Sequence, residues 1–162
     1  MRLLAIFTVG LLPFSTLDKV ESEYLNLDPK PLSVVNKSAE IDCLARNIYH
    51  EARGESLRGQ IAVAAVTVNR VLTKGYPASI CQVVYQPYQF SWVKELLKSK
   101  HNPRENEQFR TARAIASAYL KGLYKDPTKG ALFYHASRVN PKWAKTVLKT
   151  AQIGNHVFYA KA

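Results

Sequence analysis

The chemically suggestive residues of this chain begin with a carboxylate set among apolar neighbours, in Tyr49-His50-Glu51-Ala52-Arg53-Gly54-Glu55. A 3.6-residue period places Ile41, Leu44, Ala45, Ile48 and Ala52 on one helical face, and Glu51 falls at its edge. Partial desolvation there disfavours the charged form and raises the pKa, which suits a general acid near neutral pH. The alternative is a solvated Glu51 paired with Arg46 or Arg53 on a wet helix face. Glu55 comes after Gly54, where the helix should end, so helical spacing does not give its distance from Glu51. It is a candidate substrate contact. Near the start of the next helix it has a structural alternative, accepting backbone N–H groups and pairing with Arg58.

A second cluster is aromatic. Tyr88, Phe90 and Trp92 are either core residues or faces that stack on a sugar ring, and Gln89 adds an amide between them. Tyr134 and His135 form a further candidate pair near a strand end. Breaking a glycosidic bond requires a protonated carboxylic acid beside the leaving oxygen, usually with a second carboxylate as nucleophile or base. Glu51 fits the first role. His50-Glu51 lacks the second histidine of H-E-x-x-H, so that zinc motif is absent, while a scattered site from His50, His135 and His156 stays open as a weaker alternative.

Several elements must position these residues. The first helix runs from about Ser38 to Arg53. The second is capped by Ser56, carries Ile61, Ala64, Ala65, Val68, Val71 and Leu72 inward, and ends at Gly75. Ser79 caps a short helix with Ile80, Val83 and Val84 inward, and residues 85 to 92 read as a loop or hairpin edge lining a cleft. After a polar stretch from Ser99 to Asn106, a further helix is built on Phe109, Ala112, Ala116, Tyr119 and Leu123. Asp126-Pro127-Thr128-Lys129-Gly130 is a turn signal. Beyond it, residues 131–135 and 156–159 are strand-like runs, the second entered through a tight turn at Gly154-Asn155. The fold class is therefore α+β, mainly helical, with a small sheet added late.

The 162 residues suffice for one domain, and a net charge of +11 draws the protein to polyanions. The cations are scattered and no zinc-finger or basic-helix signature accompanies them, so nucleic acid is not the expected partner. Met1-Arg2 and the apolar run to Leu12 read as an export signal or a membrane tether. Residues 17–37 read as a linker containing Asp28-Pro29-Lys30-Pro31. In an exported protein, Cys43 and Cys81 invite a disulfide between the first and third helices, with two buried free thiols as the alternative.

The residues from Leu44 through Glu55, Gly59-Gln60-Ile61-Ala62-Val63-Ala64-Ala65-Val66, Asn69-Arg70-Val71 and Gln89-Phe90-Ser91-Trp92 closely resemble the SleB/CwlJ family of cell wall hydrolases. The likeness continues through residues 130–135 and 153–158, covering nearly everything from about residue 40 onward. It implies a lysozyme-like domain with a small antiparallel sheet, related to spore-cortex-lytic catalytic domains and phage endolysins, that cleaves the MurNAc-GlcNAc glycan of peptidoglycan. It implies that Glu51 is the essential acid. If Glu51 acts alone, the substrate's N-acetyl group serves as nucleophile and gives a 1,6-anhydro product, the lytic-transglycosylase route, with Glu51 as acid and then base. The expected organisation is an export or tethering segment over residues 1–16, a linker over 17–37 and a catalytic domain over 38–162. The expected protein is an exported monomer without cofactor or metal, touching a membrane only transiently through its N-terminal segment. Its substrate contacts are expected from Glu55, Gln89, Phe90, Trp92 and Tyr134. The rivals are a zinc-dependent N-acetylmuramoyl-L-alanine amidase and a non-catalytic wall-binding or nucleic-acid-binding module.

Overall fold

The uninterrupted apolar run Ile61-Ala62-Val63-Ala64-Ala65-Val66 is too dense for a one-sided helix, and a helix that is apolar all round belongs in the interior. The computed structural model, which describes Leu25, residues 37–99 and residues 106–162, places it there. Five α-helices are described: α1 (Lys37–Ala52), α2 (Leu57–Leu72), α3 (Ile80–Val84), α4 (Ser91–Ser99) and α5 (Glu107–Leu120). Strands β1 (Phe133–Ala136), β2 (Leu148–Ile153) and β3 (His156–Ala160) follow, with a 3₁₀ turn at Lys142–Thr146 before β2. The α+β, mainly helical reading holds.

Helix α2 is the shared wall of two cores. On one side Ile61, Ala64, Ala65 and Val68 join Leu44, Ala45 and Ile48 of α1 and Phe109, Ala112 and Ala116 of α5. On the other, Ala62 and Val66 join Ala131, Ile153 and Phe158 from the sheet and its approach. The alanines let these layers come close, and Ser56 starts the helix by accepting the Gly59 N–H. The helix ends at Leu72, earlier than Gly75, because Thr73 turns to extended backbone while its N–H bonds the Arg70 carbonyl. Leu72 is therefore two-thirds exposed rather than inward. Leu123 likewise lies past the end of α5 and is exposed.

The sheet is antiparallel in the order β1-β3-β2, with Tyr134 opposite Phe158 and Ala136 opposite His156. The β2–β3 hairpin turns at Gly154-Asn155, and Gly154 takes φ +53°. Strand β2 is absent from the sequence expectation: Leu-Lys-Thr-Ala-Gln-Ile alternates poorly and bulges between Lys149 and Ala151. The expected loop over residues 85–92 stops short, since Ser91 and Trp92 already belong to α4. The expected signal or tether over residues 1–16 and most of the linker over 17–37 lie outside the described residues. Within that stretch Leu25 makes an isolated antiparallel bridge to Tyr124, and α1 begins at Lys37.

A disulfide joins Cys43 of α1 to Cys81 of α3, as the even cysteine count suggested. Next to it, Glu40 accepts the N–H groups of Ile80 and Cys81 at 2.5 and 3.3 Å, capping the first turn of α3. The bond closes a loop of 38 residues, and chain-entropy reasoning makes it worth roughly 3–4 kcal/mol. Replacing both cysteines with alanine should therefore lower unfolding stability in urea by about that amount. Reductant should lower the melting temperature of the native protein and leave the double variant unchanged.

Candidate active site

Glu51 is the penultimate residue of α1, at the helix end where the backbone dipole is negative and disfavours a carboxylate. Its apolar face buries Ile48 and Ala52 completely or nearly so, which brings the Glu51 side chain against α2 and the sheet. Tyr134, from β1, donates its hydroxyl to Glu51 Oε2 at 3.1 Å. Burial drives the Glu51 pKa above its ordinary value, while the Tyr134 hydrogen bond, the Trp92 indole and the Arg70 charge pull it back without cancelling the effect. The Trp92 N–H lies outside good hydrogen-bond geometry and is a buried donor without a full partner, so its contribution is the weaker kind. Burial and the neighbouring carboxylate raise the Tyr134 pKa well above its ordinary value, keeping it a proton donor to Glu51.

Arg70 is the functional neighbour that sequence reading missed. In the sequence it stands among the scattered cations and in the Asn69-Arg70-Val71 segment of the family resemblance, with no role assigned to it; it follows Val63 and Val66 by seven and four residues and so shares their buried face. Its Nε donates to the Leu132 carbonyl and one terminal nitrogen donates to Gln89 Oε1, both at 2.8 Å. Its guanidinium also lies 5.8 Å from the Tyr76 and Phe90 ring centres. Arg70 thereby ties the approach to β1 and the Gln89 segment to α2. Asn69 completes this anchorage by donating to Asp126 and to the Ala131 carbonyl, at 2.9 and 3.1 Å. Asp126 in turn accepts from Thr128 and Gly130, closing the turn predicted from Asp126 to Gly130.

Glu55 is held differently. Its carboxylate accepts the Asn155 backbone N–H at 3.2 Å and the Asn155 side-chain amide at 3.0 Å, with His156 Nδ1 4.0 Å away. It clamps the α1–α2 corner to the β2–β3 turn. A Cβ on Gly59 would meet Glu55 Cβ at 2.7 Å, and Gly154 holds a left-handed φ of +53° beside the same side chain, so both positions favour glycine. Asn155, a turn residue by its sequence, also forms part of the cleft wall.

Glu51, Glu55, Arg70, Gln89, Tyr134 and His156 are among the residues around a polar cleft of ≈ 540 Å³. Phe90 reaches this cleft but is only 8% exposed, and Trp92 is 7% exposed and does not line it. The structure thus corrects the placement of Trp92, which was expected at the cleft wall. It packs beneath, with its ring stacked on His50 at 4.3 Å, because the residue after Ser91 falls on the inner face of α4. The three histidines take separate places. His50 stacks on Trp92, His135 Nε2 lies 2.9 Å from the Tyr159 hydroxyl, and the His156 ring meets Tyr134 edge-on at 5.3 Å. Among the described residues, no three His, Cys, Asp or Glu side chains converge as metal ligands. What the arrangement can do is hand a proton from one desolvated carboxyl to a bound molecule and take one back.

Residues 54–159 match the family of Cell Wall Hydrolase proteins, a span that opens three residues after Glu51. The chain is 33% identical over 120 residues to the spore cortex-lytic enzyme of Bacillus cereus, covering 74% of this chain and 43% of that protein. It therefore spans less than half the length of that relative. The catalytic domain of the Bacillus cereus SleB protein aligns with a TM-score of 0.62 at 30% identity, over 80% of this chain and 95% of that one. The catalytic domain of the germination-specific lytic transglycosylase SleB from Bacillus anthracis gives 0.61 at 30% identity, over 81% and 100%.

A raised folded-state pKa at Glu51 has a consequence for stability. The protonated carboxyl favours the folded state fully below the unperturbed value of 4.5, and that contribution is lost as pH rises through the folded value. Glu51→Gln, which keeps the shape without the charge, should therefore melt higher than the native protein near pH 7. The two should converge near pH 4, as scanning calorimetry would show.

Proposed function

The chain belongs to the cell wall hydrolase family, and on that premise we propose that it cuts the glycan strand of peptidoglycan by the lytic-transglycosylase route. The observation that carries this reading is the contrast between the two carboxyls that line the polar cleft: Glu51 is desolvated and raised in pKa, whereas both oxygens of Glu55 are engaged by Asn155. A second carboxylate held in that way is a poor nucleophile or base. Protonated Glu51 donates its proton to the glycosidic oxygen as the bond from the muramic C1 breaks. The carbonyl oxygen of the muramic N-acetyl group attacks C1 and carries the positive charge as an oxazolinium ion. Glu51, now a carboxylate, takes the proton from the C6 hydroxyl, whose oxygen then bonds C1 and reopens the ring. The products are a 1,6-anhydromuramic end and a free hydroxyl on the departing sugar, with Glu51 protonated again.

Other residues take supporting parts. Tyr134 holds Glu51 in one orientation and Gln89, fixed by Arg70, presents its amide to the sugar. Trp92 and Phe90 support the floor. Residues 38–162 form the catalytic domain, residues 17–37 a linker, and residues 1–16 an export or tethering segment. The enzyme works as an exported monomer on the cell wall, where its net charge of +11 concentrates it on the peptide carboxylates of its substrate.

The test is mass spectrometry of fragments released from purified peptidoglycan. The expected products end in 1,6-anhydromuramic acid, and Glu51→Gln should reduce their release roughly 100-fold or more. Reducing muramic ends would replace this route with hydrolysis by water. Intact glycans with freed peptides would replace it with amidase chemistry.

A further inference from the structure

Two clefts meet at Glu51, and the chemistry above uses only the polar one. The second, of ≈ 980 Å³, shares Glu51, Gln89, Phe90 and Ser91 with the first. Tyr85-Gln86-Pro87-Tyr88 and, from α4, Val93, Lys94 and Glu95 line the rest of it. The Gln89 N–H donates to the Gln86 carbonyl at 3.2 Å, so residues 86–89 form a turn with Pro87 second and Tyr88 third. Tyr88 has φ 65°. In a turn with proline second, a left-handed third residue is ordinarily glycine or asparagine, since a bulky side chain is disfavoured at that φ.

The turn holds a tyrosine there instead, and its side chain is 100% exposed. Neither packing nor turn geometry accounts for the ring. Tyr85 is also exposed, its ring centre 6.3 Å from that of Trp92, and the exposed Gln89 brings its amide to the same cleft. Exposed aromatic faces beside an amide match a pyranose bearing an N-acetyl group: the C–H face of the sugar stacks and the polar substituent hydrogen-bonds. A strained, solvent-facing ring is the kind of outlier that marks a ligand contact.

We propose that Tyr88 is a specificity-determining residue that stacks on an N-acetylhexosamine ring in this second cleft, further along the glycan from the bond at Glu51. The inference rests on the glycan-cleaving reading above. Its test compares native protein, Tyr88→Gly, Tyr88→Asn and Tyr88→Phe on soluble, uncross-linked peptidoglycan strands. Glycine and asparagine both accept the left-handed backbone, so each removes the ring without adding strain, and melting temperatures check that the fold is kept. Both should raise KM roughly two- to ten-fold, the size of one stacking contact, with kcat little changed, while Tyr88→Phe should match the native protein. Unchanged KM in both ringless variants of an active enzyme would overturn the role of Tyr88 alone, as would a Tyr88→Phe as impaired as they are. A native protein that cuts no glycan would overturn the function itself, and this inference with it.

Discussion

The Tyr134–Glu51 hydrogen bond is the interaction on which the site depends, because it joins the end of a helix to a strand 83 residues later around one partly buried carboxyl. Burial and the negative end of α1 both oppose ionisation, and the phenol and Arg70 hold that opposition in check. The balance leaves a group able to give a proton and to survive without it. A fully buried Glu without these partners would be locked neutral, and an exposed one would already be ionised near neutral pH.

The rest of the fold fixes the geometry of that pair. Helix α2 is buried from Gly59 to Val68, so Asn69 and Arg70 project from a rigid element to hold the turn before β1 and the Gln89 segment. Glu55 performs the equivalent task from the other end, binding the α1–α2 corner to the hairpin that carries His156. The disulfide and Glu40 fasten α3 to α1, and the 85–90 segment hangs directly from α3. Arg70 and Glu55 are thus both bonded to the backbone of a neighbouring element.

Much of this was legible in the sequence where the signal is local. The helical period of α1 placed Glu51 at the margin of the core, Ser56 and Ser79 cap the helices they precede, and Asp126 to Gly130 is the turn its composition suggests. The cysteine pairing followed from a count of two. Contacts between distant segments, the disulfide apart, are not legible there. Nothing in a one-dimensional pattern joins Tyr134 to Glu51 or Asn155 to Glu55, and the poor alternation of residues 148–153 hid β2. Trp92 was misplaced for a related reason: its position on the inner face of α4 depends on where that helix begins, and helix boundaries are weakly written in sequence.

The family match begins just after Glu51, and the role proposed for that residue rests on the motif around it and on its surroundings, a desolvated carboxyl held by Tyr134. Those surroundings can be read directly by carbon-13 NMR titration of the Glu51 carboxyl in the native protein and in Tyr134→Phe. The account predicts a midpoint above the ordinary 4.5 in the native protein and a further rise when the phenol is removed, since burial raises the value and the hydrogen bond lowers it. A native midpoint at or below 4.5, or one that falls in Tyr134→Phe, would contradict it.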